Sequence, residues 1–179
     1  MFWNAQPPLG AVPNKSHNLS KGLVGHWLMN EGGGIRAHDV SGFNNHGTLT
    51  NGPSWKQGRK SGSSLSFDGA NDYVNYGDVT FLDGLSSWAI AAWFRIPDTA
   101  GQYALIGKWN DHVNDRGIII DIFGGNLRFL KGTGVASQTN ITAAVNANVW
   151  QHVVGLQNGV DVVLYINGIE RLDLRIALL

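Results

Sequence analysis

Short apolar runs, each bounded by Gly, Asn or Asp, recur from residue 22 onward at intervals of roughly 8–15 residues. The runs are LVGHWLMN, HGTLT, SLSFDG, DYVNYG, WAIAAWFRI, YALIGKW, GIIIDIF, NLRFLKG, VWQHVVGLQN and VDVVLYING. No helical period of useful length accompanies them, and Glu occurs only as Glu31 and Glu170. Spacing and composition therefore predict an all-β protein of short strands and turns.

Alternation within the runs predicts which strand faces meet the core. The run at residues 88–96 has bulky apolar residues on one face and small residues with Trp93 on the other, a pattern typical of a two-sheet sandwich. The apolar faces predicted for the last two strands are Trp150, His152, Val154 and Leu156, and then Val162, Leu164 and Ile166. Hairpin turns are predicted at QNGVD and at Gly124–Gly125.

The charge balance and the absence of cysteine exclude several kinds of partner and site. Lys and Arg together number 13 and Asp and Glu together number 13, so the formal net charge is zero. Nucleic acid and anionic membranes select a basic excess, so neither is expected as the main partner. Because the sequence contains no Cys, disulfides and thiolate metal sites are excluded.

The N-terminal segment resembles neither a secretory signal nor a membrane span, which needs about 18 consecutive apolar residues. We therefore expect a protein made in the cytoplasm without a signal peptide and without membrane insertion. Pro7, Pro8 and Pro13 oppose regular strand pairing at residues 1–20. We interpret this segment as a Pro-rich arm that packs on its own domain or reaches a neighbour, followed by one domain at residues 21–179.

The order of several motifs resembles a known family. GLVGHWLMNEGGG, HDVSGFNNHGTL, SLSFDGANDYV and VWQHVVGLQNGVDVVLYINGIE resemble the laminin G-like members of the concanavalin A-like lectin/glucanase superfamily. The resemblance implies a jelly roll of two antiparallel sheets, which in many members holds calcium at one rim and binds glycans on the concave face or rim. The opening PPLGAVPN with LSKGLVGHWLMNEGGG also resembles laminin G-like proteins encoded by bacteriophages, which implies a virion protein.

The C-terminal end departs from the family, because its last strands are shortened. Members usually continue past the YING hairpin to a strand that lies beside the first, whereas only IERLDLRIALL follows here. Either Leu172–Leu178 forms this closing strand, or the edge of the first strand lies open. An open edge is a template for pairing with another chain. It would favour contacts with other virion subunits, as the N-terminal arm would, or a homo-oligomer.

Two loops rich in Asp, Asn and Gly are candidates for a calcium site. Calcium prefers about six to eight oxygen ligands from carboxylates, amides and carbonyls. By the resemblance, the candidate ligands of a structural Ca²⁺ are Asp39, Asp72, Asn71 and the carbonyls of Gly42 and Asn45. The alternative is turn chemistry, in which Asp39 and Ser41 cap the turn VSGFNNHGTLT through hydrogen bonds to nearby backbone. The sequence leaves both open.

The residues that glycoside hydrolysis requires are missing. The reaction uses two carboxylates that flank the scissile bond, and glucanases of this fold carry them as Glu-x-Asp-x-x-Glu, a motif absent here. We interpret NDHVNDR, at residues 110–116, as a solvated loop. His46 and His152 alternate with apolar neighbours and are predicted to be hydrogen-bonded core or half-buried residues, without zinc-ligand spacing. The protein is predicted not to be an enzyme.

The tryptophans divide between packing and ligand contact. Trp55 and Trp109 flank predicted loops and are the candidate sugar-binding residues, because an aromatic face can stack on a sugar ring. Packing is the alternative for both. Trp27, Trp93 and Trp150 fit strand faces and are predicted to lie in the core.

Three functions follow from these features. The first is a non-catalytic structural protein of a virion surface, a decoration or fibre protein whose lectin-like jelly roll adheres to a surface glycan. The alternative is a free-standing carbohydrate-binding module. The third, a glycoside hydrolase, is opposed by the missing carboxylates.

Overall fold

The computed structural model describes residues 11–59, 62–108, 117–132, 138–159 and 161–172, which are built mainly from strands. Helical structure in these residues is restricted to 3₁₀ turns at Asn18–Ser20 and Thr80–Leu82, and none of the described helices could cross a bilayer. The strands are β1 (Arg36–Ala37), β2 (Gly47–Thr50), β3 (Ser54–Gln57), β4 (Ser63–Ser66), β5 (Tyr73–Asn75), β6 (Ser87–Phe94), β7 (Tyr103–Lys108), β8 (Ile118–Phe123), β9 (Asn126–Gly132), β10 (Gln138–Ala144), β11 (Gln151–Asn158), β12 (Asp161–Ile166) and β13 (Ile169–Leu172). The predicted all-β fold class is confirmed.

The chain divides into two compact units, Met1–Phe81 and Leu82–Leu179. The first contains an antiparallel sheet of order β1-β2-β5 and the antiparallel pair β3-β4. The second contains two antiparallel sheets, β10-β9-β8-β7 and β13-β12-β11-β6. The predicted boundary between an arm and a domain at residue 20 stays a prediction, since residues 1–10 lie outside the described part.

The two sheets of the second unit pack face to face around one apolar core. Phe129 of β9, Ile120 of β8 and Leu164 of β12 are fully buried there. The Trp88 ring on β6 meets Phe129 edge-on, with ring centroids 5.8 Å apart. A Cβ on Gly155 of β11 would lie 3.3 Å from the Phe129 ring, so the glycine admits this close approach of the sheets. The predicted two-sheet antiparallel sandwich is confirmed.

Glycine turns join consecutive strands where the sequence predicts hairpins. Gly124 and Gly125, between β8 and β9, have φ values of 57° and 80°. Gly159, between β11 and β12, has a φ of 65°. These left-handed conformations match the twist of a hairpin and cost glycine no steric clash.

The first predicted strand, LVGHWLMN, is not formed. Among the described residues its pairing is limited to one isolated bridge between Trp27 and Asp39. Met29 has a positive φ of 53°, which interrupts an extended backbone. The Trp27 ring also folds back over Gly25, so closely that it leaves no room for a Cβ at that position.

The pattern of apolar runs misses β1, β3, β10 and β13, because these strands are very short or rich in polar residues. β13 pairs antiparallel with β12 and forms one edge of its sheet within the described residues. The predicted closing strand at Leu172–Leu178 lies, beyond Leu172, outside the described residues.

The core-facing side of β11 is opposite to the predicted one. The buried residues are Gln151, Val153, Gly155 and Gln157, and the predicted face, Trp150, His152, Val154 and Leu156, is half-buried. Gln151 accepts a hydrogen bond from the Asn146 N–H at 3.1 Å and donates one to the Asn146 carbonyl at 2.9 Å. Gln157 accepts one from the Trp88 indole at 2.9 Å. Because their amides have partners, these polar side chains can face the core. The predicted inward face of β12 is confirmed.

We expect Gln151→Ala to lower the free energy of unfolding by about 2–4 kcal/mol. The substitution removes the hydrogen-bond partner of the Asn146 backbone N–H and carbonyl, and it opens a cavity. Urea denaturation followed by tryptophan fluorescence measures the change. The matched control is Gln102→Ala at an exposed position, expected to change stability by less than about 0.5 kcal/mol. Equal stability of the two variants would contradict a structural role for the buried amide.

Candidate functional site

The carboxylate of Asp39 is the acceptor in four hydrogen bonds from the first unit. Its Oδ1 atom accepts from the backbone N–H groups of His26 at 2.9 Å and Ser41 at 2.8 Å. Its Oδ2 atom accepts from the Ser41 hydroxyl at 2.7 Å and the Asn45 N–H at 3.0 Å. Only 7% of Asp39 is exposed, so one buried anion ties together three chain segments.

These contacts also set the ionisation of Asp39. Burial raises the pKa of the carboxyl, but the hydrogen bonds from His26, Ser41 and Asn45 outweigh that effect and lower the pKa below its ordinary value. Hydrogen bonds directed at the charged form stabilise it. Asp39 is therefore held as an anion at neutral pH.

The turn that follows Asp39 uses short-range side-chain contacts. The Phe43 N–H donates to the Ser41 hydroxyl at 3.2 Å, in addition to the two bonds from Ser41 to Asp39. Gly42 and Asn44 have φ values of 96° and 61°, which residues of these types adopt readily. These are the contacts that the turn-chemistry alternative predicts for VSGFNNHGTLT.

The same contacts bear on the predicted calcium site. Calcium binds through oxygen lone pairs, whereas both Asp39 oxygens here face N–H and O–H donors. The Asn45 carbonyl accepts from the Trp27 indole at 2.7 Å. In this arrangement these donors occupy the ligand positions, so Asp39 does not fit a calcium ligand, although calcium binding itself stays a prediction.

The second loop of the predicted calcium site is held by its own hydrogen bonds. Asp68 Oδ1 accepts from the N–H groups of Ala70, Asn71 and Asp72 at 2.8, 3.1 and 3.2 Å, and these bonds lower the Asp68 pKa. Asp72 Oδ2 accepts from the Asp68 N–H at 3.0 Å, and the Asn71 carbonyl accepts from the Asn51 amide at 2.7 Å. Among the described residues, no hydrogen bond or ion pair links this loop to Asp39, and no group of three His, Asp or Glu is arranged to hold a metal ion.

Of the two candidate sugar-binding tryptophans, only Trp55 lies among the described residues. Trp55 lies near the start of β3, where it pairs with Leu65. Its indole donates to the Gly34 carbonyl at 2.9 Å, so its polar edge is already bonded. Trp109 and the NDHVNDR segment lie outside the described residues. Sugar stacking by the two tryptophans stays a prediction.

The prediction that Trp93 is a core residue is wrong. It lies on the outward face of β6, is 50% exposed and packs against His152 with ring centroids 4.9 Å apart. Trp27 and Trp150 are half-buried, and Trp27 packs on Tyr76 at 4.5 Å. The predicted half-buried position of His46 is confirmed, since its Nδ1 atom accepts from the Asp39 N–H at 3.0 Å.

A cavity of about 520 Å³ lies beside the Asp39 turn. We call it the Glu31 cavity; its walls include Val12, Leu28, Glu31, His38, Val40 and His46. The Glu31 side chain is only 8% exposed, and its Oε1 atom accepts from the His38 N–H at 2.7 Å. Its Oε2 atom is buried and has no hydrogen-bond partner among the described residues. The cavity therefore combines apolar walls with one incompletely satisfied carboxylate.

Glu31 and His38 were not predicted to be binding residues from the sequence. One signal was available, because Glu31 is one of only two glutamates and stands immediately before three glycines. The Glu31 carboxylate and the His38 N–H are seven positions apart in the sequence, on either side of β1. Their contact depends on how the chain folds back around that strand. Sequence spacing alone does not reveal that contact.

We expect Asp39→Asn to lower the free energy of unfolding by about 2–4 kcal/mol, because an amide NH₂ then faces hydrogen-bond donors. The control Asp161→Asn, at an exposed position, is expected to change it by less than about 0.5 kcal/mol.

The stabilising effect of Asp39 should also depend on pH. Since the folded-state pKa of Asp39 is depressed, its contribution to the free energy of unfolding is present above the unfolded-state pKa of about 3.9 and is lost as pH falls through the lower folded-state value. Urea denaturation should therefore give a smaller difference in the free energy of unfolding between wild type and Asp39→Asn at pH 3 than at pH 7. An equal difference at both pH values would contradict a stabilising role for the charged Asp39 carboxylate.

We expect millimolar calcium or EDTA to leave the melting temperature unchanged within about 1 °C, because protein donors already surround the Asp39 carboxylate. A calcium site with a Kd of about 20 μM would contribute about 2.7 kcal/mol at 2 mM calcium, which corresponds to a shift of about 5–10 °C. Differential scanning calorimetry separates these outcomes. A shift of that size, lost in Asp39→Asn and Asp72→Asn, would establish the calcium alternative.

Comparison with solved structures gives a distant similarity. One chain, from work on the cell entry of botulinum neurotoxin type C and its dependence on two ganglioside molecules, has a TM-score of 0.49 and 15% sequence identity. The match covers 81% of this chain and 39% of that one, so this chain spans about two fifths of its length. A TM-score this low supports no inference about what this chain binds. No curated protein matches the sequence.

Comparison with protein families gives a match over most of the second unit. The Laminin_G_3 family model, described as the concanavalin A-like lectin/glucanases superfamily, matches residues 68–176, more than half of the chain. The matched span includes both sheets of the antiparallel sandwich, whereas the Asp39 turn and the Glu31 cavity precede it. The chain belongs to the concanavalin A-like lectin/glucanase superfamily as a laminin G-like protein, and its sandwich is the jelly roll of that superfamily.

Proposed function

We propose that this chain is a non-catalytic, glycan-binding protein of a virion surface. Membership of a superfamily of lectins and glucanases is the observation that carries the glycan-binding part. A described cavity with apolar walls and a few polar groups supports it, because small-molecule sites share that construction.

The environment of the two glutamates supports a role without catalysis. Glycosidases hold two carboxyl groups on opposite sides of the scissile bond, one of them as a proton donor. Glu170, in β13, accepts a hydrogen bond from the Tyr165 hydroxyl at 2.6 Å on an exposed surface. Glu31 belongs to a different unit of the chain, and one of its oxygens accepts from the His38 N–H. Asp39 lines the same cavity as Glu31, but both of its oxygens already accept hydrogen bonds from protein donors, so it does not supply the second catalytic carboxyl group.

The virion-surface part of the proposal rests on the likeness of the opening segment to phage-encoded laminin G-like proteins. The outer position of β13 in its sheet, within the described residues, supports it, since an outer strand can pair with another chain. Ile169, in this strand, is 57% exposed. The proposed partners are other virion subunits or a second copy of this chain, and the proposed location is the virion surface. A free-standing carbohydrate-binding module is the alternative.

We expect the purified full chain to bind a subset of glycans on an array and to release no reducing sugar from them. Binding should persist in EDTA, because the Asp39 carboxylate is satisfied by protein donors. The control is the same chain unfolded by heat, with the loss of its β-sheet circular dichroism spectrum checked. Absence of binding by the folded protein would contradict the glycan-binding function, and release of reducing sugar would contradict the non-catalytic one.

A further inference from the structure

We propose that the Glu31 cavity binds one uncharged sugar unit, a step that rests on the glycan-binding function proposed above. Its volume of about 520 Å³ falls within the range of small-molecule sites, about 300–1,000 Å³. Val12, Leu28 and Val40 supply aliphatic surface to the walls. Such surface suits the C–H face of a sugar ring, which is apolar while its edge carries hydroxyl groups.

The polar groups of the cavity match a hydroxyl group, which can both donate and accept. Glu31 Oε2 is an acceptor without a partner among the described residues, and a buried acceptor in that state favours any ligand that supplies a donor. His46 Nδ1 already accepts from the Asp39 N–H, which leaves Nε2 as the hydrogen-bearing nitrogen of the neutral ring. Both residues line the cavity, so a hydroxyl group that reaches these atoms finds an acceptor and a donor.

The charges around the cavity favour an uncharged ligand. Two carboxylates, Glu31 and Asp39, line it, and none of the described lining residues is Lys or Arg. The Lys15 ammonium lies beside Gly42, which also lines the cavity, so one cation stands against two carboxylates. An anionic sugar such as a sialic or uronic acid would still meet net repulsion. The charge of Asp39 is already stabilised by four hydrogen bonds. Of the two carboxylates, only Glu31 therefore retains an oxygen without a hydrogen-bond partner, and a single sugar hydroxyl can supply the missing donor.

Access to Glu31 requires a small side-chain movement, because Oε2 is closed to solvent in this arrangement. The His38 ring lines the cavity beside it, with Nδ1 3.6 Å from Glu31 Oε1, and the side chain is 54% exposed. Its ring meets His46 edge-on with centroids 5.5 Å apart. Binding should therefore move the His38 ring and perturb the NMR signals of both histidines.

The test measures binding of methyl glycosides of glucose, galactose, mannose and N-acetylglucosamine to the full chain by saturation-transfer NMR and titration. N-acetylneuraminic acid and glucosamine serve as the anionic and cationic probes. We expect binding of at least one neutral glycoside, with shifts at the His38 and His46 rings. Binding restricted to the anionic probe, or tighter binding of the cationic probe, would overturn the proposal.

Two variants and their matched controls locate the site. Val12→Trp places a bulky ring at the wall from a residue that is 73% exposed, and its control is Val149→Trp at a residue that is 47% exposed. Glu31→Gln removes the charge with little change of shape, and its control is Glu170→Gln. We expect both cavity variants to weaken neutral-glycoside binding at least tenfold and both controls to stay within twofold. Circular dichroism verifies that all four fold.

The outcomes separate this proposal from the function on which it rests. Glycan binding on the array that survives both cavity variants would overturn the cavity as the site while leaving the glycan-binding function intact. Absence of binding to every array glycan and every glycoside would overturn both. Loss of binding in both cavity variants, with both controls unaffected, supports the assignment.

Discussion

The carboxylate of Asp39 holds the candidate site together. Four protein donors from His26, Ser41 and Asn45 converge on its two oxygens, so a single buried charge fixes segments that are up to 19 positions apart in the sequence (26 to 45). The N–H of the same residue donates to His46. A buried charge is costly unless its hydrogen-bonding capacity is filled, so these segments are held in one mutual arrangement. The walls of the Glu31 cavity depend on that arrangement.

The second unit depends on a different constraint, the packing of two sheets with alternating side chains. Burial on β11 is maintained even though two of its inward residues are glutamines. Gln151 completes the hydrogen bonds of Asn146, and Gln157 those of the Trp88 indole. Polar residues satisfied in this way favour one register, because a slip of one residue would turn both glutamines to the outer face and leave the Asn146 backbone groups and the Trp88 indole without these partners.

Sequence patterns predicted some elements better than others for physical reasons. β6, β8 and β12 are long enough and apolar enough to display a period of two, and they were recognised as strands. β10 has the sequence QTNITAA, whose polar residues conceal its pairing with β9. The segment before β1 reads as apolar, yet the positive φ of Met29 and the Trp27 ring over Gly25 oppose a strand.

The sequence by itself determined the all-β class, the glycine hairpins, the superfamily resemblance and the importance of Asp39, because these depend on local pattern and residue type. Only the tertiary structure decided what Asp39 does, since the donors from His26 and Asn45 come from opposite sides of it along the chain. The same holds for Trp93, whose strand pattern suits either face until the register with β11 assigns it to the outer one. Glu31 became a candidate binding residue only because folding buried its carboxylate and left one oxygen without a donor, a balance of burial and hydrogen bonding that no local pattern encodes.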